Sequence, residues 1–176
     1  MLSRRAFQLL APATLLELSL PTVAQAAPSR ELFTLARSTN ANVVKYAVRT
    51  GKDGQLDAGQ PVEAYWLMLA ENGRREELTW TERQLAYGFS VSNQNRSGCV
   101  LHLSACAERV LRVREVDGAY RAEIAIAKQS ASLQRIFVRT EPHALLPSVR
   151  YVELSGVTAS GQRVSERVLP RRVSRF

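Results

Sequence analysis

Apolar and polar residues alternate along most of this chain with a period of two. From Val43 to Arg49, Val44, Tyr46 and Val48 fall on one side, and Lys45 and Arg49 fall on the other. That is the pattern of a half-buried strand. Similar short runs occur at Leu32–Arg37, Phe89–Val91, Cys99–Leu103, Ser132–Thr140, Ser148–Thr158 and Arg163–Leu169. Val62 to Ala70 is apolar on both faces, with Val62, Ala64, Trp66 and Met68 against Tyr65, Leu67 and Leu69, which predicts a central strand covered on both sides. Arg109–Val116 and Ala119–Lys128 are joined by Asp117-Gly118, a two-residue hairpin signal. This register sets Val113 opposite Ala122, Arg112 opposite Glu123 and Arg114 opposite Arg121.

Helical spacing occurs once, after Glu76-Glu77-Leu78. Two capping boxes compete there, Thr79 with Glu82 and Thr81 with Gln84. In the second, Trp80 and Leu85 would form a hydrophobic staple. Gly88 is a natural stop. The expected fold is mainly β: an antiparallel β-barrel or β-sandwich of about nine strands, with one short α-helix after the third strand.

The first 26 residues break the pattern. Ser3-Arg4-Arg5-Ala6-Phe7, an apolar stretch from Leu9 to Val23 and Ala24-Gln25-Ala26 read as a twin-arginine signal peptide with its cleavage site. The expected organisation is a leader over residues 1–26, one β-rich domain over residues 27–170 and a basic tail over residues 171–176, with a periplasmic or secreted location. No later stretch is long and apolar enough to span a membrane as a helix. The terminal Phe176 is a weak reminder of outer-membrane barrels, whose strands are longer than these.

Charge adds a binding expectation. The net charge is +8, or +7 without the leader's two arginines and one glutamate, and 21 of the 24 basic residues are arginine. Arginine favours bidentate contact with carboxylates and phosphates. An exported protein meets anionic lipid-like ligands or acidic proteins rather than nucleic acid. Arg112, Arg114 and Arg121 are candidate anion contacts, and Tyr46, Trp66, Trp80 and Tyr87 are candidate walls of a ligand pocket.

Catalytic chemistry finds little support. There is no G-x-S-x-G elbow, H-E-x-x-H, phosphate-cradling loop or Cys/His cluster, so no cofactor and no metal are expected. Glu76, Glu82 and His102 are the residues an enzyme acting on envelope material would draw on; His143 is a second lone histidine. Asp53, Gln55 and Asp57 alternate as in a calcium loop, but Ala64 stands where the twelfth-position glutamate belongs, and Asx turns are the expectation. Cys99 and Cys106 are a candidate disulfide. In one extended strand they would lie roughly 23 Å apart, so a bridge requires a turn near Ser104-Ala105.

Four blocks resemble a family of small exported bacterial proteins, domain of unknown function 4833: LFTLARSTNANVVKY (Leu32–Tyr46), DGQLD with PVEAYW (Asp53–Trp66), REELTWTERQLAYGF (Arg75–Phe89) and VRYVELSGVTASGQRVSER (Val149–Arg167). The resemblance runs from about Arg30 to Pro170. It implies a mainly β envelope domain and no particular activity. It gives no support to a disulfide, because both cysteines lie outside the four blocks. A binding module is therefore the first expectation, and an interaction module acting through a sheet edge or through Arg171, Arg172 and Arg175 is the second.

Overall fold

The alternating runs become strands whose apolar sides share one core. The structure, a computed structural model, describes residues 30–106, 108–142 and 148–169. The leader, His143 and the tail lie outside the described residues. Eleven strands and one α-helix occur among the described residues: β1 (Glu31–Arg37), β2 (Asn40–Val48), β3 (Val62–Met68), β4 (Arg74–Glu77), α1 (Trp80–Leu85), β5 (Phe89–Asn95), β6 (Gly98–Leu103), β7 (Val110–Val116), β8 (Ala119–Ile126), β9 (Gln129–Glu141), β10 (Ser148–Thr158) and β11 (Arg163–Val168).

All belong to one curled, mixed sheet that makes a half-barrel. Its main path runs β4-β3-β2-β1-β9-β8-β7-β6-β5. The long β9 is the junction. Along one edge it pairs with β10 from Ala131 to Glu141, and β10 carries β11. Its other edge is shared: β8 pairs with Gln129–Ser132 and β1 with Arg135–Val138. Two four-strand arms therefore diverge from β9 and enclose the core. Tyr46, Val44 and Val48 come from one arm, and Leu101, Leu103 and Leu111 from the other; all are at most 1% exposed.

The arms meet at both ends. At one end, the Tyr46 ring lies between Phe33, at 4.5 Å, and Phe89, at 6.0 Å. The Tyr46 hydroxyl donates to the Tyr87 carbonyl at 2.9 Å, while within the second arm Ser104 N–H donates to the Gly88 carbonyl at 2.9 Å and extends the β5–β6 ladder. Gly88 has to be glycine here, because a Cβ would sit 1.8 Å from the Arg83 carbonyl oxygen. At the other end, the Gln94 side-chain amide donates to the carbonyls of Asp57 and Ala58, each at 2.9 Å. Asp53 and Asp57 accept backbone N–H groups two or three residues on, the expected Asx turns.

Several expectations change. The sheet is mixed, because β1 and β9 run parallel. The helix follows the fourth strand, not the third, since Arg74–Glu77 forms β4 on the edge of β3. That makes β3 the next-to-edge strand. Its outward Tyr65 is covered by the Arg75 guanidinium, 3.9 Å from the ring centroid, rather than by a second layer. Of the two caps, Thr79 with Glu82 forms. The staple does not form: Trp80 and Leu85 are 76% and 78% exposed. The helix is held instead by Glu82, which accepts from the Trp66 indole N–H at 3.1 Å.

Cys99 and Cys106 are free thiols. Between Cys99 and Leu103, β6 carries the chain about 13 Å, and the single tight turn at Ser104–Cys106 does not bring it back within the ~7 Å Cα reach of a disulfide.

Candidate functional site

The inward face of β1 runs Phe33, Leu35, Arg37. The first two are 1% exposed. The third sends a guanidinium to the same side, next to Val138 of β9, its partner in register. Arg37 Nε is buried and has no hydrogen-bond partner. No ion pair to Arg37 occurs among the described residues. Its guanidinium carbon lies 4.9 Å from the centroid of the Tyr87 ring, a cation–π contact that holds the group without neutralising it.

Arg37 forms part of the wall of a groove of about 510 Å³. Leu85 and Ala86 come from the end of α1; Ser104, Ala105, Cys106, Glu108 and Arg109 come from the connection between β6 and β7. Val138, Val149, Val152, Val168 and Leu169 complete it. Most of this lining is aliphatic. The other guanidinium, Arg109, is already engaged: it donates to Glu166 at 2.6 and 2.9 Å and to the Ala125 carbonyl at 2.6 Å. Burial pushes the Cys106 thiol above its usual pKa, against the pull of Arg109, so Cys106 faces the groove as a neutral thiol. The volume falls in the range of small-ligand sites.

A larger cleft of about 730 Å³ opens beside β3, β4 and α1; Glu63 and Glu77 on its wall are paired with arginines, whereas Arg30 and Arg49 have no ion pair among the described residues. Arg75 binds both oxygens of Glu63, at 3.1 and 3.0 Å. Arg83 binds Glu77 at 2.8 Å, and Arg49 binds Gln60 at 2.6 Å.

The candidate residues separate into three places. Tyr46, Trp66 and Tyr87 come together, with the Trp66 and Tyr87 rings edge to face at 5.0 Å. They are core residues, at most 9% exposed, and only Tyr87 reaches a cleft wall. Burial raises the pKa of both tyrosines, and at Tyr87 the Arg37 guanidinium opposes the shift. Trp80 points to solvent. Arg112, Arg114 and Arg121 lie on the outer face of β7 and β8 in the expected register, with Arg114 facing Arg121. Arg114 reaches diagonally to Glu123, with both contacts at 2.6 Å.

The enzyme candidates do not converge. Glu76 binds Arg74 on the surface, Glu82 caps α1, and His102 Nε2 meets Ser92 Oγ at 3.2 Å. A serine–histidine pair needs an acid to orient the ring and donors for an oxyanion, and His102 has no carboxylate partner among the described residues. No group of three or more metal-ligating side chains occurs among the described residues. No described helix is long and apolar enough to cross a membrane.

Arg37 was absent from the sequence candidates. It stands at the next inward position after Phe33 and Leu35, but a charge at the end of the run reads as the polar close of the strand.

No curated protein and no solved structure matches the chain. Domain of unknown function (DUF4833) matches residues 33–167, from the third residue of β1 to the penultimate residue of β11. With all eleven strands wholly or mostly inside that match, the chain belongs to the DUF4833 family.

Proposed function

We propose that this protein is an exported, non-catalytic binding module whose groove holds a small amphipathic anion. The head group is a carboxylate or phosphate seated on Arg37, and the tail lies along Val152, Val168 and Leu169. The half-barrel acts as an incompletely closed barrel with its ligand at the open side, a common use of small barrels. The twin-arginine leader supports a periplasmic or secreted location.

The observation that carries this reading is the buried, unpartnered Nε of Arg37 in a mostly aliphatic wall, which also holds Glu108 and the engaged Arg109. A buried N–H without an acceptor is costly. An anionic ligand supplies the acceptor, and a planar guanidinium donates to a carboxylate through two parallel bonds.

Calorimetric titration with dodecanoate and with dodecanol tests the proposal. Charged hydrogen bonds contribute about 1.5–3 kcal/mol, so the acid should bind about 10- to 100-fold more tightly than the alcohol. Arg37→Met should erase that difference. Equal affinity for acid and alcohol, or undiminished preference in the variant, would reject Arg37 as the anchor.

A further inference from the structure

The outer face of β9, β10 and β11 carries a second, independent pattern. After an extra residue at Gln134, β9 turns Arg135, Phe137 and Arg139 outward, while Ile136 and Val138 stay in the core. The register then sets out four rows. Val157 lies beside Arg163; Arg135 is in line with Ser155 and Ser165; Phe137 is in line with Glu153 and Arg167; Arg139 lies beside Tyr151. The arginines thus alternate between β11 and β9 from row to row. Rows are about 6.7 Å apart, and β9 and β11 are about 10 Å apart.

The charge on this face is not balanced. Glu153 is bound to Arg167 at 2.7 Å, and Glu141 to Arg150 at 2.5 Å. Arg135, Arg139 and Arg163 have no ion pair among the described residues. We infer that this zigzag of arginines is a docking face for an extended polyanion, and specifically a linear polysaccharide bearing carboxylates.

Two features favour a polysaccharide over other polyanions. Single-stranded nucleic acid binds by stacking bases on open aromatic faces. Here Arg135 stands over Phe137, at 5.2 Å, and Arg167 over Tyr151, at 4.8 Å, so both rings are already covered. Peripheral membrane binding combines charge with apolar side chains that enter the lipid, and none of the large exposed apolar residues, such as Trp80, Leu85 and Leu169, lies on this face. What remains is a strand face that reads charge spacing along a line. The inference does not depend on the groove at Arg37, which opens on the opposite side of the sheet.

The test uses the full chain and oligomers of polygalacturonate. Binding is measured between about 50 and 200 mM salt, because displaced counterions make such affinities steeply salt-dependent. Arg135→Gln/Arg139→Gln/Arg163→Gln is compared with Arg96→Gln/Arg112→Gln/Arg121→Gln, which removes the same charge from exposed positions elsewhere. The face variant should lose at least about tenfold in affinity, and its salt slope should fall by about one unit per arginine. The control should change less than about threefold on the same criterion. Arg139→Gln alone, at a side chain with no hydrogen bond or ion pair among the described residues, should give a partial loss with the fold intact. Equal losses in the two triple variants, no binding by the wild type, or tighter binding to an oligonucleotide or to anionic vesicles would each overturn the inference.

Discussion

A buried donor without an acceptor is expensive, and Arg37 Nε is such a donor, on a side chain that is otherwise half-buried against Tyr87. An unsatisfied buried donor costs about 1–3 kcal/mol. The cation–π contact with Tyr87 returns only about 0.5–1 kcal/mol. Methionine has similar length, needs no hydrogen bond and adapts to irregular space. Arg37→Met should therefore leave stability unchanged or raise it by about 1 kcal/mol, read as the denaturant midpoint at constant slope, while it removes the preference for an anionic ligand. A loss of stability above about 1 kcal/mol would mark Arg37 as a structural residue. The burial of Tyr46 and Trp66 was legible in the sequence, because Tyr46 lies on the apolar side of an alternating run and Trp66 in a run apolar on both faces. Both were expected at a pocket wall, but they pack in the core instead. Arg37 was not legible, because its burial comes from β9, about a hundred residues away, whereas locally it reads as the polar end of a strand. Trp80 was misplaced for a smaller reason. Moving the cap from Thr81 to Thr79 changes which side chains of so short a helix meet the sheet.

Two hairpin turns show what local chemistry does and does not reveal. Asp117 and Gly118 both have positive φ, 53° and 75°, the geometry their residue types favour, and the register read from them matches the observed pairs from Arg112–Glu123 to Arg114–Arg121. Ala127 and Lys128 make an equally tight turn between β8 and β9, also with positive φ, 48° and 66°. Neither residue type favours that conformation, so β8 looked longer in the sequence than it is. Lys128→Gly should relieve the strain and stabilise the fold by about 1 kcal/mol, measured by thermal unfolding; a destabilised variant would mean that the turn is not strained. The turn persists because β11 pins it: Glu166 accepts from Ala127 N–H at 2.7 Å and from Arg109. Those bonds, from Arg109 first and then from Ala127, hold the Glu166 carboxyl below its ordinary pKa despite opposing burial. A depressed folded pKa gives stability that is present above the unfolded value of about 4.3 and is lost as pH falls through the folded one. Stability should thus decline below about pH 4, and Glu166→Gln should make that decline shallower. An unchanged acid limb in the variant would remove Glu166 from this role. The edge strand β4 was missed for yet another reason: Arg74-Arg75-Glu76-Glu77 has no apolar alternation and is held by backbone pairing with β3 and by ion pairs such as Arg75 with Glu63.

At the scale of the molecule, the alternation identified most of the strands but not their neighbours, because pairing of β1 with β9 depends on backbone geometry between distant segments. The resulting fork makes a prediction about motion. The β1–β4 and β5–β8 arms are each continuous through backbone ladders, but they meet across the mouth through few bonds, of which the Tyr46 hydroxyl to the Tyr87 carbonyl is fully buried. Tyr46→Phe keeps the ring stacked on Phe33 and removes that bond alone. The stranded carbonyl should cost about 1–2 kcal/mol of global stability. The cost should also be uneven in space. With the tie gone, the outermost strands of the second arm, β5 and β6, retain the Gln94 contacts to the loop after β2 and the bond from Leu56 N–H to the Arg96 carbonyl at 3.3 Å. Their amides should exchange faster than in the wild type by more than the global loss explains, while amides of β9 and β10, paired along ten positions, should follow the global change only. Native-state hydrogen exchange resolves the two. Uniform acceleration across all strands would mean that the sheet opens as one unit and that the arms have no separate motion, in which case the groove at Arg37 cannot admit its ligand by parting them.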